Sequence, residues 1–150
     1  MIIIIFILGL DQLTKLFINK NLSLSQSIPI IKGIFHLTLL HNRGAAFGLF
    51  RNQIALLISV SFFAILLIYF NLKKNVRDKK YSIYKLSLNF ILAGALGNLV
   101  DRLCFGYVID FLDLRVWPVF NVADSAITIG AILLGWSLLR ESKQKVTKTQ

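Results

Sequence analysis

The stretch from Gly94 to Ser125 contains three blocks that join apolar runs to polar residues: Gly94-Ala95-Leu96-Gly97-Asn98-Leu99-Val100-Asp101-Arg102, Val108-Ile109-Asp110-Phe111 and Phe120-Asn121-Val122-Ala123-Asp124-Ser125. Four of the seven acidic residues of the chain lie in this stretch: Asp101, Asp110, Asp113 and Asp124. The chain is 56% hydrophobic. Carboxylates that gather at the ends of apolar runs in such a chain indicate a functional site.

The composition indicates a membrane protein. Charged residues make up 16% of the chain and the mean hydropathy is +0.70, whereas soluble domains carry about 25% charged residues. The net charge of +10 is concentrated in residues 73–80 and 140–148, which hold nine basic and two acidic residues. Both segments flank apolar runs, so they indicate cytoplasmic loops and not a nucleic-acid surface. The lone Cys104 excludes an internal disulfide and offers no zinc spacing.

Four apolar runs are long enough to span a bilayer and predict transmembrane helices over residues 1–18, 54–72, 81–100 and 121–139. The segment 19–53 is mixed. Its β-branched and aromatic residues predict short strands or an interfacial platform, followed by a turn at 41–44. We therefore expect an all-α membrane protein of one domain over residues 1–150. Its small extracytoplasmic β-platform would lie between helices 1 and 2, and residues 140–150 would form a basic cytoplasmic tail.

The basic segments also predict an orientation. With residues 73–80 and the tail in the cytoplasm, both termini lie inside and the polar blocks lie at the outer leaflet. Five of the seven acidic residues then converge on that leaflet, and only Asp78 and Glu141 remain inside. This convergence predicts a site before any family is considered.

Several of these polar residues also have ordinary structural interpretations. Asn121 is suited to cap the fourth helix and Asp124 to sit in its first turn. Gly94 and Gly97 are typical of close helix packing. Asp11 and Lys15, spaced i, i+4, form either a neutralising pair or part of a site, and the sequence leaves both open.

Paired carboxylates suit peptide hydrolysis without a metal or cofactor. Two of them held close share one proton, so that one activates water while the other activates the carbonyl. Metal hydrolysis is poorly supported, because no His-Glu-x-x-His pattern occurs. A Ser125 and Lys15 mechanism is less favoured, since Asp11 is the natural partner of Lys15.

Two other classes of function compete with an enzyme. A proton-conducting or transport protein would use intramembrane acids, but here the acids cluster at one face and no inverted repeat is visible. A membrane assembly factor would leave the carboxylates as packing polars, so it should tolerate their replacement by Asn.

The chain resembles the bacterial lipoprotein signal peptidases (type II signal peptidases). The three blocks quoted above carry the resemblance together with Asp11-Gln12-Leu13-Thr14-Lys15 and Asn42-Arg43-Gly44-Ala45-Ala46-Phe47. Arg43 fills a position that varies in the family. The resemblance implies a four-helix aspartyl endopeptidase that cleaves prolipoproteins before the diacylglyceryl-modified cysteine and is inhibited by globomycin. It implies a site at the outer leaflet of the bacterial cytoplasmic membrane, beside membrane phospholipid.

The resemblance also implies roles for individual residues. Asp110 and Asp124 are the expected catalytic dyad, and Asp101 is the rival for the first place unless Arg102 holds it in a structural ion pair. The remaining expected site residues bind substrate or inhibitor, or support those that do: Asp11, Lys15, Asn42, Gly44, Asn98, Arg102 and Asn121.

Overall fold

The computed structural model describes residues 1–45, 49–74 and 82–147, with the side chains of residues 74, 82 and 142–147 left out. Its helices are α1 (Ile2–Asn21), α2 (Ile54–Lys74), α3 (Ser82–Phe105) and α4 (Val122–Thr147), and its strands are β1 (Ser27–Ile31), β2 (Phe35–Asn42) and β3 (Val108–Asp113). All four helices are long and apolar enough to cross a membrane. The predicted fold class, a four-helix membrane protein with a small sheet, is confirmed.

All four helices end further along the chain than the sequence predicted, α3 and α4 by the most. Helix α3 continues past Val100 to Phe105 and ends where Gly106 takes a φ of 74° and donates its N–H to the Arg102 carbonyl at 3.1 Å. Helix α4 continues through the expected basic tail to Thr147, since Lys and Arg are good helix formers. Most of the expected cytoplasmic loop, at 75–80, lies outside the described residues, as do the start of the predicted third span at Tyr81 and the motif positions 46–48.

The three strands form one antiparallel sheet in the order β1-β2-β3. Strands β1 and β2 form a hairpin within the connection from α1 to α2, where the sequence predicted the platform. Strand β3 comes from the connection between α3 and α4 and pairs along β2, with Leu40 opposite Asp110 and Asn42 opposite Val108. The sequence did not predict this third strand, and its presence places Asp110 beside β2.

The sheet is fixed to the helices by an apolar cluster. Ile18 of α1 packs with Leu39 of β2 and with Ile109 and Phe111 of β3, all four of them buried. Because side chains alternate along a strand, burying Ile109 and Phe111 on this side directs Asp110 to the opposite face of the sheet. The hydrophobic anchor therefore determines where the Asp110 carboxylate points.

Glycines allow α1, α3 and α4 to approach closely. A Cβ atom at Gly94 would collide with the backbone carbonyl of Ala123, and one at Gly97 would lie 2.6 Å from Asp11 Oδ2. At Gly130 a Cβ atom would lie 2.7 Å from the Ser87 carbonyl oxygen. The packing interpretation of Gly94 and Gly97 is correct, and at Gly97 it brings α3 against a charged residue of α1.

Candidate active site

A buried cluster of charges joins α1 to α3. Lys15 Nζ lies 2.8 Å from Asp11 Oδ2 and 2.8 Å from Asp101 Oδ2, and it donates to Asn98 Oδ1 at 3.1 Å. The exposed fraction is 2% for Lys15 and 0% for both aspartates. Charges taken out of water in this way are tolerated only when they are paired and hydrogen-bonded. The pair of Asp11 and Lys15 expected from spacing therefore exists, with Asp101 as a third member.

Backbone N–H groups complete the cluster and connect it to α4 and β3. Asp11 Oδ1 accepts the N–H of Ala123 in the first turn of α4 at 2.8 Å. Asp101 Oδ2 accepts the N–H of Ile109 on β3 at 3.0 Å. The two carboxylates thus bind α4 and β3 to the helices that carry them.

The ion pair expected between Arg102 and Asp101 does not form among the described residues. Adjacent residues of a helix point in different directions, and Asp101 instead pairs with Lys15. Its other oxygen, Oδ1, accepts from Gln12 Nε2 at 3.0 Å. Asp101 is paired with a buried cation and does not line the cavity that Asp110 lines, which makes it a poor rival to Asp110. Gln12 was missed as a site residue, although it lies inside the quoted motif between Asp11 and Lys15.

The ammonium of Lys15 determines which way two buried amides face. An ammonium group can only donate, so the oxygen of Asn98 faces Lys15 and its Nδ2 donates to Asp124 Oδ1 at 2.7 Å. The same oxygen of Asn98 also accepts from Asn121 Nδ2 at 3.1 Å. Asn121 Nδ2 in turn lies 2.7 Å from Asp110 Oδ1. The amide hydrogens are thereby directed at Asp110 and Asp124.

Asn121 also caps α4, as its ordinary interpretation predicted. Its Oδ1 accepts the N–H of Asp124 at 2.8 Å, and Asp124 Oδ2 accepts the N–H of Asn121 at 3.3 Å. This reciprocal pair is a capping box. Because Nδ2 of the same side chain reaches Asp110, one residue joins the start of α4 to the strand that carries the other carboxylate.

Asp110 is buried, with an exposed fraction of 2%. Its Oδ2 accepts from Asn42 Nδ2 at 2.9 Å, and Asn42 is held by the N–H of Gly44, which donates to its Oδ1 at 2.9 Å. Burial, and then the negative charge of Asp124, raise the pKa of Asp110 to about 7. Hydrogen bonds from Asn42 and Asn121 oppose this rise only in part.

Asp110 and Asp124 both line a cavity of about 870 Å³. Six of the predicted site residues line it: Asn42, Gly44, Asn98, Arg102, Asp110 and Asp124. The guanidinium of Arg102 donates to the carbonyls of Asn98 and Gly44 at 3.4 Å each. The other predicted residues, Asp11, Lys15, Asp101 and Asn121, lie behind this wall and act on it through hydrogen bonds. In the described part of the chain no three His, Cys, Asp or Glu residues are grouped as metal ligands.

Comparison with known proteins places this arrangement in a family. Residues 3–140 match the family described as Signal peptidase (SPase) II. The chain belongs to the signal peptidase II family. Two relatives named lipoprotein signal peptidase agree with this membership. The protein of Moorella thermoacetica is 46% identical over 139 residues, 93% of this chain and 91% of that protein. The protein of Halothermothrix orenii is 45% identical over 144 residues, 95% and 96% respectively.

A solved structure agrees with the signal peptidase II fold. It is a bacterial membrane enzyme determined by the in meso method at 2.3 Å resolution, and it matches this chain with a TM-score of 0.88 at 30% identity. The match covers 96% of this chain and 89% of that one. The family predicted from the sequence motifs is thus confirmed.

Replacing Lys15 by Met should destabilise the protein strongly. The change leaves Asp11 and Asp101 buried without their cation, and removing one partner of a buried pair costs about 3–5 kcal/mol. Thermal unfolding in detergent micelles measures the effect. Lys20→Met is the matched control, since Lys20 is exposed in the last turn of the same helix. Equal melting temperatures for the two variants would contradict a stabilising role for the cluster.

Proposed function

We propose that this chain is an aspartic endopeptidase that removes signal peptides from prolipoproteins by cleaving before the diacylglyceryl-modified cysteine, with Asp110 and Asp124 as its dyad. The observation that carries the proposal is that both carboxylates line one cavity and both hydrogen-bond to Asn121. Family membership and the name of the relatives support the substrate class.

The protonation of the pair suits acid–base hydrolysis. Two neighbouring carboxylates titrate as a unit and hold one proton between them. The raised pKa of Asp110 favours the proton on that residue near neutral pH. With the single proton of the pair on Asp110, Asp124 is the ionised member, and it accepts hydrogen bonds from Asn98 Nδ2 at 2.7 Å and from the Asn121 N–H at 3.3 Å.

In the proposed reaction a water molecule lies between the two carboxyl groups. Asp124 takes a proton from the water, and the oxygen of that water attacks the scissile carbonyl carbon. At the same time Asp110 gives its proton to the carbonyl oxygen. When the tetrahedral intermediate collapses, the carbon–nitrogen bond breaks and the leaving amine takes the proton from Asp124. Asp110 recovers its proton from the hydroxyl, so the pair returns to its starting state.

The substrate would lie partly in the bilayer. Its two acyl chains stay among the membrane phospholipids, while the peptide enters the cavity and pairs with polar groups such as Asn42 and Arg102. Globomycin-type inhibitors would occupy the same cavity in place of the peptide. The basic segments 73–80 and 140–148 support a cavity that opens at the outer leaflet, with both termini in the cytoplasm.

Asp110→Asn and Asp124→Asn should each lower turnover of a lipidated peptide by roughly 10²–10⁴-fold, because each removes half of the acid–base pair. The double variant should be little worse than either single one, since the two residues act as a unit. Purified enzyme in detergent micelles provides the measurement. Asp113→Asn is the matched control: Asp113 lines the same cavity but is held by Thr38 and Arg115, so most turnover should remain. Normal turnover by Asp110→Asn together with an inactive, folded Asp101→Asn would contradict the dyad.

The pH dependence of kcat/KM should show an alkaline limb near pH 7. Asp110 must carry the proton, and its pKa of about 7 means that the proton is lost above that pH. Activity should also fall in acid, where both carboxyls become protonated. Asn42→Ala removes a donor that favours ionised Asp110, so its alkaline limb should move to higher pH and its substrate binding should weaken. An alkaline limb that Asn42→Ala leaves in place would count against Asp110 as the acid.

Reporter fusions test the orientation. Fusions at Asn75 and after Arg140 should behave as cytoplasmic, while a fusion at Leu24 in the connection after α1 should behave as external. A compartment-sensitive reporter such as alkaline phosphatase distinguishes the two sides. External signals from both basic segments would reverse the orientation and move the cavity to the inner leaflet.

A further inference from the structure

Arg43 and Arg51 line the cavity and have no acidic partner among the residues that the structure describes. Four arginines contribute to its wall: Arg43, Arg51, Arg102 and Arg115. Arg115 forms an ion pair with Asp113 at 3.0 Å, and Arg102 interacts electrostatically with Asp124 and Asp110. Arg43 and Arg51 are exposed and make no ion pair within the described residues. They are the positive charges of this wall that remain available to a ligand.

A backbone hydrogen bond brings these two arginines near each other. The N–H of Asn52 donates to the Arg43 carbonyl at 3.1 Å, so that residue 51 is brought beside residue 43. Arg51 lies between Phe50 and Asn52, which have φ values of 54° and 65°. Such left-handed backbone is unfavourable for residues other than glycine. Two neighbouring like charges repel each other, and an anion placed between them would relieve that repulsion.

The position of Arg43 in the chain indicates how far its charge lies from the scissile carbonyl. Asn42 hydrogen-bonds to Asp110 at 2.9 Å, and the next Cα along the chain, that of Arg43, is about 3.8 Å further on. An extended peptide advances about 3.3–3.6 Å per residue. The arginine side chains can therefore reach a residue two or three positions from the scissile carbonyl.

The side of the scissile bond follows from the surroundings of the loop. Arg43 and Arg51 precede Ile54, the first residue of a candidate membrane span, and both are exposed. The signal-peptide part of a substrate is apolar and remains in the bilayer, whereas the part that follows the modified cysteine is polar and leaves toward water. The arginines therefore face the segment on the mature side of the cleavage point.

We infer that Arg43 and Arg51 form a specificity subsite for an acidic side chain at the first or second residue after the modified cysteine. This inference rests on the proposed function and names a preference within it. Exposed ion pairs contribute modestly, so an acidic residue should raise kcat/KM by roughly twofold to fivefold over its neutral isostere. The preference should shrink at high ionic strength because the groups are solvent-exposed.

The experiment compares lipidated peptides that differ only by Asp or Asn, placed at the first or at the second residue after the cysteine. Purified wild-type enzyme in micelles of neutral detergent and phosphatidylcholine should prefer the Asp peptide. The Arg43→Gln/Arg51→Gln double variant should bring the ratio of kcat/KM values close to one. Arg43→Lys/Arg51→Lys should retain much of the preference, because it keeps the charge. Arg140→Gln is the matched control and should keep the wild-type ratio. It removes an exposed arginine near the C-terminal end of α4, away from Asp124.

The outcomes separate this inference from the function on which it rests. If wild-type enzyme cleaves neither peptide, the proposed function fails. If it cleaves both equally well at low salt, the function stands and the subsite is overturned. The same assay with phosphatidylglycerol in the micelles tests a lipid headgroup as the anion. A loss of rate in the double variant that is equal for both peptides and occurs only with that lipid would also overturn the inference.

Discussion

The rest of the polar structure depends on the ammonium group of Lys15. In an apolar environment each buried donor must find an acceptor, and an ammonium has three donors and no acceptor. Lys15 uses them on Asp11, Asp101 and Asn98. This fixes the orientation of Asn98, and through it that of Asn121, so that amide hydrogens face the cavity. One cation thus determines the direction of a chain of hydrogen bonds that crosses from the first helix to the last.

Five buried or partly buried carboxylates lie in this region; Asp113 is paired with Arg115, and the surroundings of the other four distinguish them. Asp11 and Asp101 have a cation and backbone N–H donors, and they lie behind the cavity wall. Asp110 and Asp124 have amide donors but no ion pair in the described residues, and they face the cavity. Acid–base hydrolysis requires carboxylates that can exchange a proton with a ligand. Stabilising the contacts between helices requires carboxylates that remain paired. The fold provides both kinds from the same residue type.

The sequence predicted much of this arrangement, and physical reasons explain the remainder. Long apolar runs are a local signal, so the four helices were predictable. Strand β3 was not, since its six residues adopt strand structure by pairing with β2, which lies far away in the chain. The partner of Asp101 was missed for the same reason: spacing along α3 reveals its neighbours Asn98 and Arg102 but not Lys15 on α1. For Asn121 the sequence indicated a helix cap and a site residue as two separate interpretations. It did not show that one side chain caps α4 and also contacts Asp110.

The insertion of the last helix governs when this cavity can exist. Asp110 accepts hydrogen bonds from Asn42 in the connection between α1 and α2 and from Asn121 at the start of α4, and Asp11 on the first helix accepts the Ala123 N–H. These contacts span most of the polypeptide, so a nascent chain that has inserted only three helices lacks one carboxylate and the cap that orients the other. For the proposed dyad, biogenesis therefore couples the assembly of both carboxylates to the completeness of membrane integration.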